Sequence, residues 1–239
     1  MSTIRLFLDH PLAEGQAVPL DADQAHYLFG VMRLSPGARL LVFNGRDGEW
    51  AAEVTDAAKR SGRLAPRERT RPQSLPPDLW LLFAPIKKAR TDFIVEKAAE
   101  MGCRRILPVQ TTHTNSERIK PDRLRAHAVE AAEQCGNLFV PEVADLTRLP
   151  DLLAAWDPAR TLWFCDETLA AGVASVPLRQ DGPGAVLIGP EGGFSEPERA
   201  RLRALPYARS IRLGPRILRA DTAAVAALAL WQTTCGDWR

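Results

Sequence analysis

The spacing of hydrophobic positions changes once along the chain, close to residue 75. Before that point, strand-like segments at 5–8, 39–43 and 49–54 are separated by turn residues. The last two flank Asn44-Gly45 and Asp47-Gly48. Asn-Gly and Asp-Gly pairs supply the positive φ angles of a tight hairpin. The pattern predicts a small β-barrel.

One helix interrupts these strands. Asp21 or Asp23 is suited to cap a helix that runs to about Arg33. A period of 3.6 residues places four hydrophobic residues on its apolar side, namely Tyr27, Leu28, Val31 and Met32.

Residues 69–78 contain three prolines in a polar stretch. Proline interrupts both helices and central strands, so this stretch predicts an extended connector. The predicted domains are residues 1–72 and residues 73–239.

Beyond the connector, uninterrupted apolar runs alternate with helix-like segments. The runs lie at 79–84, 105–109, 161–165, 185–189 and 210–213, and the helices near 88–101, 121–135, 147–156, 196–205 and 218–233. Continuous apolar runs are typical of strands covered on both faces. The pattern predicts a doubly wound, mainly parallel α/β sheet. The last helix is apolar almost all round, which predicts burial in the domain centre or in a subunit interface.

Composition limits the function classes. The formal net charge is only +2, so a nucleic-acid surface must come from local clustering. Between Lys59 and Arg71 there are six cations against one acid, which is typical of either a solvated linker or an RNA surface. Cysteine and histidine spacings give no metal motif. The sequence shows no leader pattern and no run of 18 apolar residues, so we expect a cytoplasmic protein.

Two glycine-bearing loops follow predicted strands, where α/β sheets bind ligands. The first is Gly-Pro-Glu-Gly-Gly at 189–193, followed by Ser195 and Glu198 at capping-box spacing. It matches neither phosphate-binding glycine motif, and a plain strand-to-helix turn has the same pattern. The second, at 213–222, places Arg216, Arg219 and Asp221 before a long uncharged helix. Asp221 or Thr222 would look the same as a simple helix cap.

Four segments of the second predicted domain and a group of N-terminal motifs, all in the same order along the chain, resemble the ribosomal RNA small-subunit methyltransferase E family. They are the loops at 187–193 and 213–222, the segment 87–102, Glu-Gln-Cys-Gly at 133–136, and N-terminal motifs at 5–7, 26–33 and 43–48. Each segment alone is a weak signal. Their order over the whole chain makes the resemblance specific.

The resemblance implies a SPOUT-class parallel sheet with a deep trefoil knot, an N-terminal PUA-like β-barrel and a homodimer. It implies methylation of a uridine N3 in 16S ribosomal RNA, naked or in the assembled small subunit, with S-adenosyl-L-methionine as methyl donor. The residues implied to hold the cofactor are Phe164, Asp166, Glu167, Leu187, Ile188, Gly189, Pro190, Glu191, Gly192, Gly193, Leu213, Gly214, Ile217, Leu218 and Thr222.

Uridine N3 carries a proton, so an enzyme must remove it or stabilise the resulting anion. We expect Arg219 to stabilise the anion, with Glu191 or Asp221 positioning the base or the arginine. A purely structural pairing of Arg219 with a carboxylate is the alternative. The chemistry needs no metal.

The cations expected to contact RNA fall in both predicted domains. They are Arg5, Arg33, Arg46, the run from Lys59 to Arg71, and Lys87, Lys88 and Arg90. Phosphate contacts of this kind fix the register of RNA on the protein.

Two positions depart from the family pattern: Asn137 stands where arginine is usual, and Asp221 where glutamate is common.

Two other functions remain open, a related knotted methyltransferase acting on transfer RNA and an RNA-binding module without catalysis. A Rossmann oxidoreductase is disfavoured, because G-x-G-x-x-G is missing after the first strand of the α/β domain.

Overall fold

The computed structural model of the chain describes residues 4–115, 118–171 and 182–238. The chain forms two compact units. The first contains the described residues up to Leu75 together with Ala132–Val140, and the second contains Pro76–Ala131 and the residues from Pro141 onward.

The first unit is built on a five-stranded sheet. Its strands are β1 (Arg5–Phe7), β2 (Val18–Leu20), β3 (Arg39–Phe43), β4 (Glu49–Ala58) and β5 (Ser61–Arg71), in the order β1-β3-β4-β5-β2. All neighbouring pairs are antiparallel except β1 and β3. The three predicted strands and the turn between β3 and β4 are confirmed.

Strand β5 corrects one expectation. The cationic run from Lys59 onward was compatible with a solvated linker, and for residues 61–71 that interpretation is wrong. Gly62 and Leu64 are buried, whereas Arg63, Arg67 and Arg69 are exposed. The exposed arginines made β5 hard to predict from the sequence, because only its inward-facing positions are apolar.

The predicted helix of the first unit is also partly corrected. Helix α1 (Ala22–Ala25) is capped by Asp21 and continues directly as a π-helical segment, His26–Val31. Leu28 is buried as predicted, but the other three residues of the predicted apolar side, Tyr27, Val31 and Met32, are exposed. A π-helix bonds residue i to i+5, as Met32 N does to Tyr27 O, so the 3.6-residue period no longer holds.

The second unit is built on a parallel sheet of seven strands. They are β6 (Leu79–Phe83), β7 (Arg105–Gln110), β8 (Glu142–Val143), β9 (Thr147–Arg148), β10 (Thr161–Cys165), β11 (Gly184–Ile188) and β12 (Ala208–Ile211). The order is β12-β10-β11-β6-β7-β8, with β9 also paired to β7. The five predicted strands are confirmed, with β12 two residues earlier than expected. Strands β8 and β9 are only two residues long and leave no hydrophobic pattern.

Five helices of the second unit match the prediction within a few residues. They are α2 (Lys88–Glu100), α3 (Pro121–Cys135), α4 (Leu149–Ala154), α5 (Glu196–Ala204) and α6 (Ala220–Thr234), and a 3₁₀ turn, Glu167–Ala171, follows β10. The last turn of α3 groups with the first unit. The predicted capping box of Ser195 and Glu198 begins α5.

Helix α6 packs against β11 and α2, and the packing specifies several residues. A Cβ added at Gly184 would lie 2.6 Å from Trp231 Nε1, so only glycine fits under that indole. Gln232 is fully buried and donates to Met101 O at the end of α2. The other side of α6 is only partly covered by the described residues, where Val225, Ala226, Ala229 and Leu230 are intermediate in burial.

In the described part of the chain, no helix combines the length and the apolar character needed to cross a membrane.

Candidate functional site

The loops that follow three neighbouring strands, β10, β11 and β12, enclose a cavity of about 220 Å³ in the second unit. The start of α6 completes its wall. This is the edge of a parallel sheet at which ligands bind, because the strands end there and their loops converge.

The structure brings together most of the residues that the sequence singled out. Twelve of them line the cavity: Asp166, Glu167, Ile188, Gly189, Pro190, Glu191, Gly193, Leu213, Gly214, Ile217, Leu218 and Arg219. The two glycine-bearing loops therefore share one site, together with the end of β10.

Five other predicted residues are not part of the lining. Phe164 and Leu187 are fully buried in the sheet, and Phe164 packs edge-on against Phe194. Gly192 and Thr222 are exposed, and Asp221 is half-buried at the start of α6.

Six lining residues were not named among the predicted cofactor contacts, although Cys165, Arg216 and Ala220 lie within segments that the sequence singled out: Cys165, Ile211, Arg212, Arg216, Ala220 and Ala223. Ile211 and Arg212 were missed because β12 ends at Ile211, two residues earlier than predicted, so the loop that lines the cavity also begins earlier. The alanines carried a usable signal, because small residues on the first turn of a helix leave room for a ligand beside it. Burial raises the pKa of the Cys165 thiol well above its usual range, which disfavours the thiolate.

The first glycine loop is a tight turn that requires glycine at one position. Gly193 has φ of 65° and donates its N–H to Pro190 O at 2.9 Å. A Cβ at Gly193 would collide with Glu167 Oε1. Both the backbone conformation and the contact therefore select glycine.

The carboxylates near the cavity are held by arginines. Asp166, whose side chain is inaccessible to solvent, accepts from Arg203 at 2.6 Å and from Thr168. Glu167 pairs with Arg199 at 2.9 Å. Both residues thereby fix the segment that follows β10.

Asp221 is likewise engaged. Its Oδ2 lies 3.1 Å from an amino nitrogen of Arg90 on α2, and its Oδ1 accepts the Thr222 N–H. The predicted alternatives for Asp221, a catalytic carboxylate or a cap, are thus joined by a third, an ion pair between α2 and α6.

Arg216, Arg219 and Glu191 are exposed residues of the cavity lining. None of the three side chains has a hydrogen bond or ion pair with another residue that the structure describes. These groups are consequently available to a ligand.

The predicted RNA contacts have different surroundings. In the first unit, Arg5 is largely buried, pairs with Glu49 at 2.9 Å and donates to the carbonyl oxygens of Ala132, Glu133 and Asn137. This corrects the expectation for Arg5, because a guanidinium with its donors used inside the fold is a structural group. Asn137 also uses its side chain locally, accepting the Phe139 N–H.

The other cations are more accessible. Arg33 and Arg46 are exposed, and Arg46 lies 3.8 Å from Asp9. In the second unit, Lys87 and Lys88 are exposed at the start of α2, whereas Arg90 pairs with Asp221. Over residues 4–115, 118–171 and 182–238, no three His, Cys, Asp or Glu residues are grouped so that they could hold a metal ion.

Comparison with known proteins identifies two family domains. A family described as an RNA methyltransferase domain matches residues 73–232, and one described as an RNA methyltransferase PUA domain matches residues 20–65. The PUA match extends over β2 to β5, so the first unit is PUA-like.

Relatives match over nearly the whole chain. Ribosomal RNA small subunit methyltransferase E of Rickettsia conorii is 29% identical over 94% of this chain and 93% of its own length. The protein of the same name from Synechocystis is 30% identical over 89% of this chain and 71% of its own.

Solved structures agree. Ribosomal RNA small subunit methyltransferase E from Neisseria gonorrhoeae, bound to S-adenosyl methionine, superposes with a TM-score of 0.89 at 26% identity, covering 100% of both chains. A methyltransferase from Legionella pneumophila in complex with the same cofactor gives 0.86 at 25% identity, covering 99% of this chain and 100% of its own. With a parallel α/β domain, a PUA-like unit and relatives over its full length, this chain belongs to the ribosomal RNA small subunit methyltransferase E family.

Proposed function

We propose that the protein transfers a methyl group from S-adenosyl-L-methionine to N3 of a uridine in 16S ribosomal RNA. The observation that carries the proposal is the cavity at the ends of β10, β11 and β12, which the two glycine-bearing loops of the resemblance line together. Relatives named for ribosomal RNA methylation and a neighbour solved with the cofactor support it.

The residues of the cavity fit this cofactor. Ile188, Ile211 and Leu218 offer apolar contact, and the glycine turn exposes backbone donors and acceptors that suit an adenine and a ribose. Glu191, exposed and without a side-chain partner in the described part of the chain, suits a cationic group. When bound, S-adenosyl-L-methionine supplies an electrophilic methyl group on a positively charged sulfur.

Phe164, Leu187, Gly192 and Thr222 have a supporting role in the proposal. The buried side chains of Phe164 and Leu187 pack in the core below the ends of β10 and β11. None of the four residues lines the cavity, so we propose that they act through the lining segments next to them in the chain.

The protein's own contribution to transfer is to stabilise charge on the uracil. Loss of the N3 proton to solvent puts negative charge on the ring, and Arg219 lines the cavity with no ion-pair partner among the described residues. Because Asp221 is held by Arg90, Glu191 is the better choice to position the substrate or Arg219.

RNA is proposed to contact the exposed cations of each unit. In the first unit these are Arg33, Arg46 and the exposed cations of the run from Lys59 to Arg71, and in the second unit they are Lys87 and Lys88. Such contacts give affinity and register, and the uridine is selected by the cavity. We assign residues 1–72 to RNA binding and 73–239 to transfer.

The finer architecture belongs to the same proposal. The trefoil knot enters the proposal through the family resemblance; the described chain leaves β12 at the edge of the sheet and returns to pack α6 on β11 and α2. A homodimer is supported by the partly exposed apolar side of α6. The expected location is the cytoplasm, where ribosomes assemble.

The test is transfer of a labelled methyl group from the cofactor to purified small subunits, naked 16S ribosomal RNA or transfer RNA. The proposal predicts label in ribosomal RNA, free or assembled. Label confined to transfer RNA would favour the related knotted methyltransferase, and no label with bound RNA would favour a non-catalytic module.

A further inference from the structure

The loop after β7, residues 111–115, is bonded to the segment that follows the first glycine loop. Thr111 N donates to Thr114 Oγ1 at 2.9 Å, which closes a turn. Thr112 N donates to Glu198 Oε1 at 2.8 Å, and the Thr112 hydroxyl lies 3.2 Å from that of Ser195. The loop is thereby attached to the capping box that begins α5.

The carboxylate in this connection is held in its charged form. Burial by itself raises the pKa of Glu198, but hydrogen bonds donated by the backbone and hydroxyl groups of Ser195 and Thr112 outweigh it and lower the pKa. A charged acceptor makes these hydrogen bonds stronger than neutral ones.

His113 contacts the glycine loop itself. Its Nδ1 lies 3.1 Å from Gly192 O and 3.1 Å from Gly193 O. Carbonyl oxygens only accept, so Nδ1 must carry the hydrogen and donate to both. A Cβ at Gly192 would come within 3.2 Å of His113 Cβ. Gly192 does not line the cavity, and its closeness to the histidine disfavours a larger side chain there.

We propose that His113 is a positioning residue for the cofactor site. By holding the carbonyl groups of Gly192 and Gly193, it keeps the wall formed by Gly189, Pro190 and Gly193 in its binding conformation. Fixing the backbone of a flexible residue costs conformational entropy, so a loop ordered in advance binds more tightly. The inference rests on the proposed function of the cavity.

The test compares two substitutions of nearly equal shape. In His113→Asn the amide Nδ2 takes the place of Nδ1 and still donates, whereas His113→Asp presents a carboxylate oxygen to two carbonyl oxygens. Calorimetric titration of the full chain with S-adenosyl-L-methionine is expected to give a Kd about tenfold higher for H113D and within about twofold of wild type for H113N. Asn115→Asp, the same change of charge at an exposed residue of this loop, is the matched control and is expected to leave Kd unchanged.

A second readout needs no cofactor. Amide hydrogen exchange at residues 189–194 is expected to be faster in H113D than in H113N or wild type. Equal exchange and equal affinity in H113D and H113N would overturn the role of His113. Wild-type protein that does not bind the cofactor would instead overturn the proposed function.

Discussion

Ion pairs decide which charged side chains near the cavity are left to act on a substrate. Arg203 holds Asp166, Arg199 holds Glu167, and Arg90 holds Asp221. Glu191, Arg216 and Arg219 have no such partner among the residues that the structure describes. The spacing of residues along the chain shows none of these pairings, which is why the sequence left Glu191 and Asp221 as equal alternatives.

Arg219→Ala tests the proposed stabilisation of the uracil anion. Removing one group that stabilises charge in a transition state costs about a hundred- to a thousandfold in rate. We expect a loss of that size in kcat, with the cofactor Kd within a few fold of wild type. Single-turnover transfer and calorimetry measure the two quantities, and Arg201→Ala on the exposed side of α5 is the control. Substantial turnover by R219A would contradict the role.

In the first unit, the carboxylate of Glu49 is held by arginines in the same way as Asp166 and Glu167 are in the second unit. Burial alone raises its pKa, but hydrogen bonds from Arg71, Arg5 and Thr70 lower the pKa from 4.5 to about 2. A lowered pKa in the folded state gives stability that is complete above pH 4.5 and is lost as the pH falls towards 2.

We therefore expect the free energy of unfolding of the wild type to fall more steeply over that pH range than that of Glu49→Gln. At neutral pH, E49Q leaves the buried Arg5 uncompensated and is expected to lose about 3–5 kcal/mol. Urea unfolding at several pH values measures both effects. Glu68→Gln, at an exposed position of β5, is expected to behave as wild type; equal pH profiles for E49Q and wild type would refute the account.

Helices and strands could be predicted where buried residues recur along the chain with a single period. The five long strands and five helices of the second unit have apolar runs that only burial on both faces of a sheet, or along one side of a helix, explains. Strand β5 was hidden by its outward arginines, and the π-helical turn changed which of Tyr27, Leu28 and Val31 point inward. The position of the pocket was predictable, because it lies at strand ends, and the small residues Ala220 and Ala223 at the start of α6 carried a signal for it that the sequence analysis did not use.

Gly193→Ala tests the glycine turn at this scale. A non-glycine residue in the left-handed region costs about 1–2 kcal/mol, and the new Cβ would also collide with Glu167. We expect the cofactor Kd to rise more than tenfold. Gly15 has a similar φ, 71°, and no atom lies within 4 Å of a Cβ added there. Gly15→Ala therefore measures the backbone cost in the free energy of unfolding without a collision. Unchanged cofactor binding by G193A in calorimetry would contradict the proposed turn.

The partly exposed apolar side of α6, with Val225, Ala226, Ala229 and Leu230, is the basis for the proposed homodimer. An arginine at Leu230 would place a charge in that interface, at a cost the interface cannot offset. We expect Leu230→Arg to be monomeric by light scattering while the wild type is dimeric. Ala200→Arg, on the exposed side of α5, is expected to remain dimeric; a dimeric L230R would place the interface elsewhere.

RNA affinity is also a property of the whole molecule. Each phosphate contact that is removed lowers the slope of log K against log salt by about one unit. Lys87→Gln with Lys88→Gln is therefore expected to reduce the slope for 16S ribosomal RNA by about two. Lys97→Gln, whose lysine already pairs with Glu100, is the control. An unchanged slope in the double variant would remove these lysines from the RNA contact.

The central claim concerns one atom of one nucleotide. Small subunits or 16S ribosomal RNA methylated by the protein can be digested to nucleosides and separated by mass spectrometry against standards of the isomeric methyluridines. We expect N3-methyluridine, at about one per RNA molecule and dependent on S-adenosyl-L-methionine, because the proposal has a single target uridine. Methylation at the ribose 2′-oxygen, at uracil C5 or on another base would contradict it.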